Sequence, residues 1–311
     1  MKILDKKILI VTGKGGTGKT TTAAAIGLWA ARRGKNTLLV ECNGASHLCP
    51  LFRRSSAGYS PVSVHPGLSI MSITSEEAIE DYIVQQIKIR KLYSLVFRNR
   101  IMSPFMDAVP GLHDAVHLGK VFDLSRETNK TGQPVWDLIV VDAPATGHGL
   151  SMLASPRSMM ELTRKGPIFQ GVKQVHDVIS DPTKTGIILT CLPEEMPVSE
   201  TQDLFEKLGP QNRLVLACVL NEITPAVLPD EIDWSVVRPQ LMESEHPEIH
   251  KAADLTERWS MRIEDQERAR TSLKSTLGTP VVDLPFLFDR SLAFSELQVL
   301  SQALETAMGR A

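Results

Sequence analysis

Apolar runs alternate with segments of helical period along most of the chain. Ile8-Leu9-Ile10-Val11 is a short β-branched run suited to a buried parallel strand. Residues 20–33 are Ala-rich, with Arg32 and Arg33 in the last turn and Gly34 as a C-cap, which predicts a helix. Residues 37–41 predict the second strand of a β-α-β unit. Residues 68–73 predict another, with Pro61 and Pro66 bracketing a turn. From 76 to 100 the pattern turns helical, placing Ile79, Tyr82, Ile83 and Ile87 on one face. A surface turn at 129–134 precedes an apolar run at 136–142 that ends in Asp142. Residues 187–191, 219–221 and 281–286 predict further strands. Residues 243–274 are dense in both charge signs and predict a solvated helix or helix pair. Leu297, Leu300, Leu304 and Met308 recur at helical spacing and predict a core-packing helix. This alternation predicts an α/β fold: one domain over 1–311, a doubly wound, mostly parallel sheet with helical insertions at about 76–128 and 150–182.

Composition narrows the function. The 311 residues carry 34 Lys plus Arg against 36 Asp plus Glu, a net charge of −2, which leaves no electrostatic footprint for nucleic acid. No apolar run reaches the length of about 18 residues that a membrane span needs, so no stable membrane insertion is expected. The first residues lead straight into the motif described next and leave no room for a signal peptide, so a cytoplasmic protein is expected. The four cysteines, Cys42, Cys49, Cys191 and Cys218, form no C-x-x-C pair and are expected as reduced thiols. His113/His117 and His246/His250 have i,i+4 spacing, but neither pair has an evident third ligand, so they read as polar surface positions.

Gly13-Lys14-Gly15-Gly16-Thr17-Gly18-Lys19-Thr20 fits G-x-x-x-x-G-K-[ST], between a strand and a helix. Glycines let the backbone turn sharply and present a row of N–H donors, so this loop and the helix N-terminus cradle phosphate. In such a loop Lys19 reaches the β- and γ-phosphate oxygens, and the Thr20 hydroxyl takes a place on Mg²⁺. Gly13 to Thr21 are therefore the expected nucleotide-binding residues, with ATP and Mg²⁺ as cofactors. Asp142, delivered by an apolar strand, fits the acid that completes the Mg²⁺ region. The glycines in Ala143-Pro144-Ala145-Thr146-Gly147-His148-Gly149-Leu150 permit a loop that rearranges with the γ-phosphate.

Lys14 ahead of Gly15-Gly16 gives K-G-G-x-G-K-T, which resembles the deviant P-loop of the ParA, MinD, nitrogenase-iron-protein and ArsA relatives. Residues 142–150 resemble D-T-A-P-T-G-H-T-L, the switch II stretch of the ArsA branch, which holds arsenite-pump ATPases and the Get-pathway ATPases that target tail-anchored proteins. Ile187 to Cys191 followed by Leu192 to Thr201 looks like the family's strand-then-helix, with Pro193 ahead of Glu200-Thr201. Val219-Leu220-Asn221 looks like the strand end whose Asn contacts adenine, and 281–286 like the last strand and the loop over the base.

The resemblance implies a dimer with nucleotide at the interface, either a homodimer or a heterodimer with a paralogue. Lys14 then reaches across to the partner's phosphates, Asp142 holds Mg²⁺ through water, and Gly147 senses the γ-phosphate. One position departs from it. Family switch I reads D-x-D-P-A or S-T-D-P-A, and its second acid positions the attacking water. Here Asn43 stands in that place and Gly44 replaces the proline. An amide orients a water but takes no proton. Hydrolysis is then slow, or uses Glu41, or belongs to a more active paralogue that this chain regulates as a nucleotide-binding subunit. Arsenite chemistry needs clustered thiols, and the four cysteines offer no trithiolate set. A client groove has two candidate stretches, 79–106 and 150–179, which hold five of the eleven methionines. Charged residues such as Arg157, Glu161, Arg164 and Lys165 interrupt the second.

Overall fold

The computed structural model describes residues 3–42, 47–87, 111–144, 148–226, 228–229, 231–288 and 292–309. Among these, the β-branched and apolar runs form eight strands: β1 (Ile8–Gly13), β2 (Thr37–Glu41), β3 (Val62–His65), β4 (Leu68–Ser72), β5 (Leu138–Asp142), β6 (Thr185–Cys191), β7 (Val215–Ile223) and β8 (Val281–Pro285). They make one sheet in the order β3-β4-β2-β5-β1-β6-β7-β8, parallel throughout except for the β3/β4 pair. The sheet is the α/β, doubly wound arrangement the alternation predicts. Strand order reverses beside β1, so the loops leaving β1, β2, β5 and β6 converge at one crevice.

The stretch between Pro61 and Pro66 is a strand, not a turn. β3 runs antiparallel to β4 at the edge of the sheet, and the turn itself is Pro66-Gly67, with Gly67 at φ 73°. Proline suits both ends of an edge strand because no ladder N–H is needed there.

Side chains alternate between two cores, one on each sheet face. Leu9, Val11, Leu39, Val140, Ile188 and Val219 pack against α1 (Lys19–Arg32), whose alanines allow close helix–sheet approach. The last helix described, which carries Leu297, Leu300, Leu304 and Met308 on its buried side, covers the same face. Arg32 and Arg33 both pair with Glu305 of that helix.

Ile8, Ile10, Val40, Val141, Ile187 and Leu189 face the other way. They pack beneath α4 (Leu112–Arg126), α5 (His148–Thr163), α6 (Pro167–Ile179) and α7 (Glu195–Lys207), which follow α2 (Leu48–Leu51) and α3 (Ser75–Ile87) in chain order. The charge-dense region forms a single long helix, α9 (Pro247–Leu277), which the shorter α8 (Trp234–Met242) precedes, and α10 (Phe294–Met308) is the last helix described. Polar residues cover most of α9, and Gln266, Ala269, Leu273 and Leu277 bury its final turns. Of the predicted helix at 76–100, the part past residue 87 lies outside the described residues.

Candidate nucleotide site

β1 ends in Gly13, and α1 begins at Lys19 behind a loop of five residues. Gly16 and Gly18 take φ values of 84° and 87°, left-handed backbone that favours glycine. A side chain at Gly13 would collide with the Thr190 carbonyl of β6, and one at Gly18 with the Asn221 amide. The loop is thus pressed onto β6 and β7 by missing side chains. Thr17 holds it there: its hydroxyl donates to the Lys14 carbonyl at 2.8 Å and shares a hydrogen bond with the Thr190 hydroxyl at 2.8 Å.

Lys19 Nζ donates to the Lys14 carbonyl at 2.9 Å and folds back over its own loop. Burial lowers its pKa, with Asp142 pulling the other way. Lys14 Nζ pairs with Glu200 of α7. Asn221, buried at the end of β7, donates from Nδ2 to the Thr17 carbonyl at 3.2 Å. Beside it the backbone bulges: pairing with β8 shifts register between Leu220 and Ile223, and Glu222 takes φ 60°. A cavity of about 440 Å³ opens there, lined by Gly18, Thr20, Asn221 and Glu222 on one side and by Phe286 and Leu287 on the other. A phenyl ring and a leucine opposite polar loop groups suit a base held beyond a phosphate chain.

Two carboxylates lie at the strand ends on the α1 face. Thr20 Oγ1 donates to Asp142 Oδ2 at 2.6 Å, while Asp142 Oδ1 is buried without a partner. Burial raises the Asp142 pKa to about 6, helped by Glu41 and opposed by Thr20 and Lys19. Glu41 is 1% exposed; its Oε1 accepts from the His47 N–H at 2.7 Å and its Oε2 is buried and unpartnered. Unsatisfied buried carboxylate oxygens are costly, and a hard divalent cation with its water shell satisfies such atoms. An Mg²⁺ ion therefore fits the Thr20–Asp142 corner on the chemistry of its donors. No group of three or more His, Cys, Asp or Glu side chains converges among the described residues, as a thiolate or imidazole metal centre would require.

Asn43, Gly44 and Gly147 lie outside the described residues. All four cysteines are free and buried, and burial pushes the Cys42 thiol well up, reinforced by Asp142, Asp114 and Glu41. His117 is not a surface position. It is 5% exposed, its Nε2 meets the Ser75 hydroxyl at 3.1 Å, and burial lowers its pKa to about 4. The apolar positions that flank it on α4, Leu118 and Val121, carry it inward with them. Met152 and Leu153 are core residues, whereas Leu162 in the same helix is 65% exposed. The first candidate groove stretch lies largely outside the described residues. Sequence reasoning missed Asp114, a buried acid that accepts from Ser151 at the start of α5, because nothing in its local pattern separates it from a solvated helix acid.

A profile of the anion-transporting ATPase (ArsA) family matches residues 6–167, which include the phosphate loop, β2 and the β5 acid. The chain belongs to this family. Among its relatives, ATPase BagA of Mycobacterium tuberculosis is 29% identical over 96% of this chain and 92% of its own length. An ATPase ASNA1 homolog of Entamoeba dispar is 27% identical over 70% of this chain and 77% of that protein. The ASNA1 homolog of Plasmodium yoelii yoelii is 22% identical over 94% and 87%. Nucleotide binding follows from family membership, and the crevice above β1 is where this member's motif residues gather.

Proposed function

We propose that this protein is an Mg-ATP-dependent ATPase switch of the ArsA/Get type that works as a dimer and couples its nucleotide state to a client or partner protein. The observation that carries the reading is the Thr20–Asp142 contact, with its orphaned Asp142 oxygen, directly beside the phosphate loop. Thr20 and Asp142 would hold Mg²⁺, which when bound neutralises charge on the β- and γ-phosphates. Gly13 to Thr21 would wrap the phosphates with backbone N–H groups and the helix N-terminus. Lys19 would leave the Lys14 carbonyl for a phosphate oxygen, and Asn221 and the Phe286 loop would hold the base. Lys14 would serve the partner subunit's nucleotide, in the manner of an arginine finger. We place the protein in the cytoplasm; among the described residues no helix is long and apolar enough to cross a membrane.

The coupling route runs through α5, which starts within the switch II stretch at His148 and packs on α6 and α4. Exposed Leu162 and the half-buried Met159 and Met160 of α5 supply adaptable apolar surface for a client. Asn43 supports a second reading, a nucleotide-binding regulatory subunit with little intrinsic hydrolysis, paired with a more active paralogue in a heterodimer. Steady-state ATP hydrolysis by the purified protein, with Lys19→Ala as background and Mg-ATP affinity measured alongside, separates the two. Turnover above background supports the self-sufficient ATPase. Tight Mg-ATP binding without turnover removes it and leaves the regulatory reading.

A further inference from the structure

Glu41 and Asp142 are register partners on the adjacent parallel strands β2 and β5. Parallel partners point to the same side of a sheet, about 4.8 Å apart across the ladder. Two residues earlier, Leu39 and Val140 both belong to the core on the α1 face. Glu41 and Asp142 therefore extend one row of side chains toward Thr20 and the phosphate loop. Both are almost fully buried, yet each keeps one oxygen without a hydrogen bond. In Asp142 the free oxygen would face the Mg²⁺ of the proposed function. In Glu41, Oε1 anchors the turn after β2 through the His47 N–H, and Oε2 has no structural task.

We propose that Glu41 is the proton acceptor for the water that attacks the γ-phosphate, taking the place that Asn43 cannot fill. The proposal rests on the ATPase reading above. In the step, the water oxygen forms a bond to the γ-phosphorus, and the bond from that phosphorus to the β,γ-bridging oxygen breaks. ADP leaves with the bridging oxygen's electron pair, and the water proton passes to Glu41 Oε2. Orthophosphate and ADP are the products, with no further reactant. The charged groups that act on Asp142 in this corner are Glu41, Lys19 and His47.

Glu41→Gln separates this role from a structural one, because the glutamine carbonyl still accepts from the His47 N–H while no oxygen is left to take a proton. Hydrolysis is measured together with Mg-ATP affinity, the Mg²⁺ concentration for half-maximal ATP binding, and thermal stability. The expected result is a loss of turnover of roughly 10²-fold or more, with both binding readouts and the melting temperature near wild type. Adding Asn43→Asp to Glu41→Gln restores part of the turnover, since a carboxylate is again available to the water. Two results overturn the proposal: unchanged turnover in Glu41→Gln, or Mg²⁺ dependence that weakens in step with turnover, which would assign Oε2 to the metal's water shell. Wild-type turnover no higher than Lys19→Ala, with Mg-ATP bound, would instead overturn the ATPase reading on which the proposal stands.

Discussion

Lys14 donates to the carboxylate of Glu200 on α7, while the Lys14 carbonyl receives Lys19 Nζ at 2.9 Å. Both loop lysines are thus engaged within one chain, and each has to change partner before it serves phosphate. The Lys14–Glu200 pair is only half-buried, and exposed ion pairs are worth about 1 kcal/mol or less. Glu200→Gln is therefore expected to leave the melting temperature within about 2 °C of wild type. Turnover should rise by up to about fivefold, the factor that 1 kcal/mol represents in the equilibrium freeing Lys14. Slower turnover in Glu200→Gln, with unchanged nucleotide affinity, would mean that Glu200 steers Lys14 rather than restrains it.

Asp142 makes stability depend on pH in an unusual direction. Its pKa rises from 3.8 to about 6 on folding, mainly through burial. Between those values the folded chain holds more protons than the unfolded one, so this group makes the nucleotide-free protein less stable as pH rises through the window. The full effect, reached above the folded pKa, is roughly 3 kcal/mol. Asp142→Asn keeps an acceptor for Thr20 and removes the charge. We expect it to melt higher than wild type at pH 7.5 without Mg²⁺, with the gap closing near pH 4, and to lose stabilisation by Mg-ATP. Equal melting temperatures at pH 7.5 would show that Asp142 ionises there without cost.

The sheet and the phosphate loop were legible because their signals are local: β-branched runs of strand length, and glycines at fixed offsets from Lys19. Asp142 was legible for the same reason, as a carboxylate closing an apolar run. What sequence could not carry is partnership across the fold. Nothing in the pattern at 37–41 says that Glu41 is the register partner of Asp142, since parallel pairing joins strands about a hundred residues apart. His117 read as a surface residue because its neighbour at i−4 is also a histidine; the buried side of α4 is set by Leu118, Val121 and Phe122 instead. The β3 edge strand was hidden by its two flanking prolines, which are stronger turn signals than four residues of strand.

Gly18 and Asn221 form a fitted pair. The missing Gly18 side chain leaves the space that the Asn221 amide fills on its way to the Thr17 carbonyl. Gly18→Ala meets two obstacles, left-handed backbone costing about 1 kcal/mol and a clash with that amide. We expect Gly18→Ala to lose Mg-ATP affinity by about tenfold or more, a cost of about 1.4 kcal/mol or more. Adding Asn221→Ala removes the clash but also gives up its contact to the base, so the double variant should lose less affinity than the two single losses added together. Calorimetric titration of the three variants checks this, and additive losses would show that the two residues do not meet.

Gln266 secures the strap that carries the base-facing loop. Its Oε1 accepts from the Thr224 N–H at 2.7 Å and the Thr224 hydroxyl at 2.8 Å, and its Nε2 donates to the Thr224 carbonyl at 3.2 Å. All these groups are buried, and Thr224 directly follows β7, where the Phe286 N–H bonds to Ile223. Gln266→Leu fills similar space but strands the Thr224 N–H and carbonyl, which should cost about 2–4 kcal/mol in urea unfolding. Gln266→Glu keeps the acceptor and loses the donor, and should fall between wild type and Gln266→Leu. Because the strap positions the base side of the cavity, ATP affinity should fall several-fold in Gln266→Leu while tripolyphosphate affinity holds. Equal losses for ATP and tripolyphosphate would instead place the damage in the phosphate loop, and the strap would then have no separate part in holding the base.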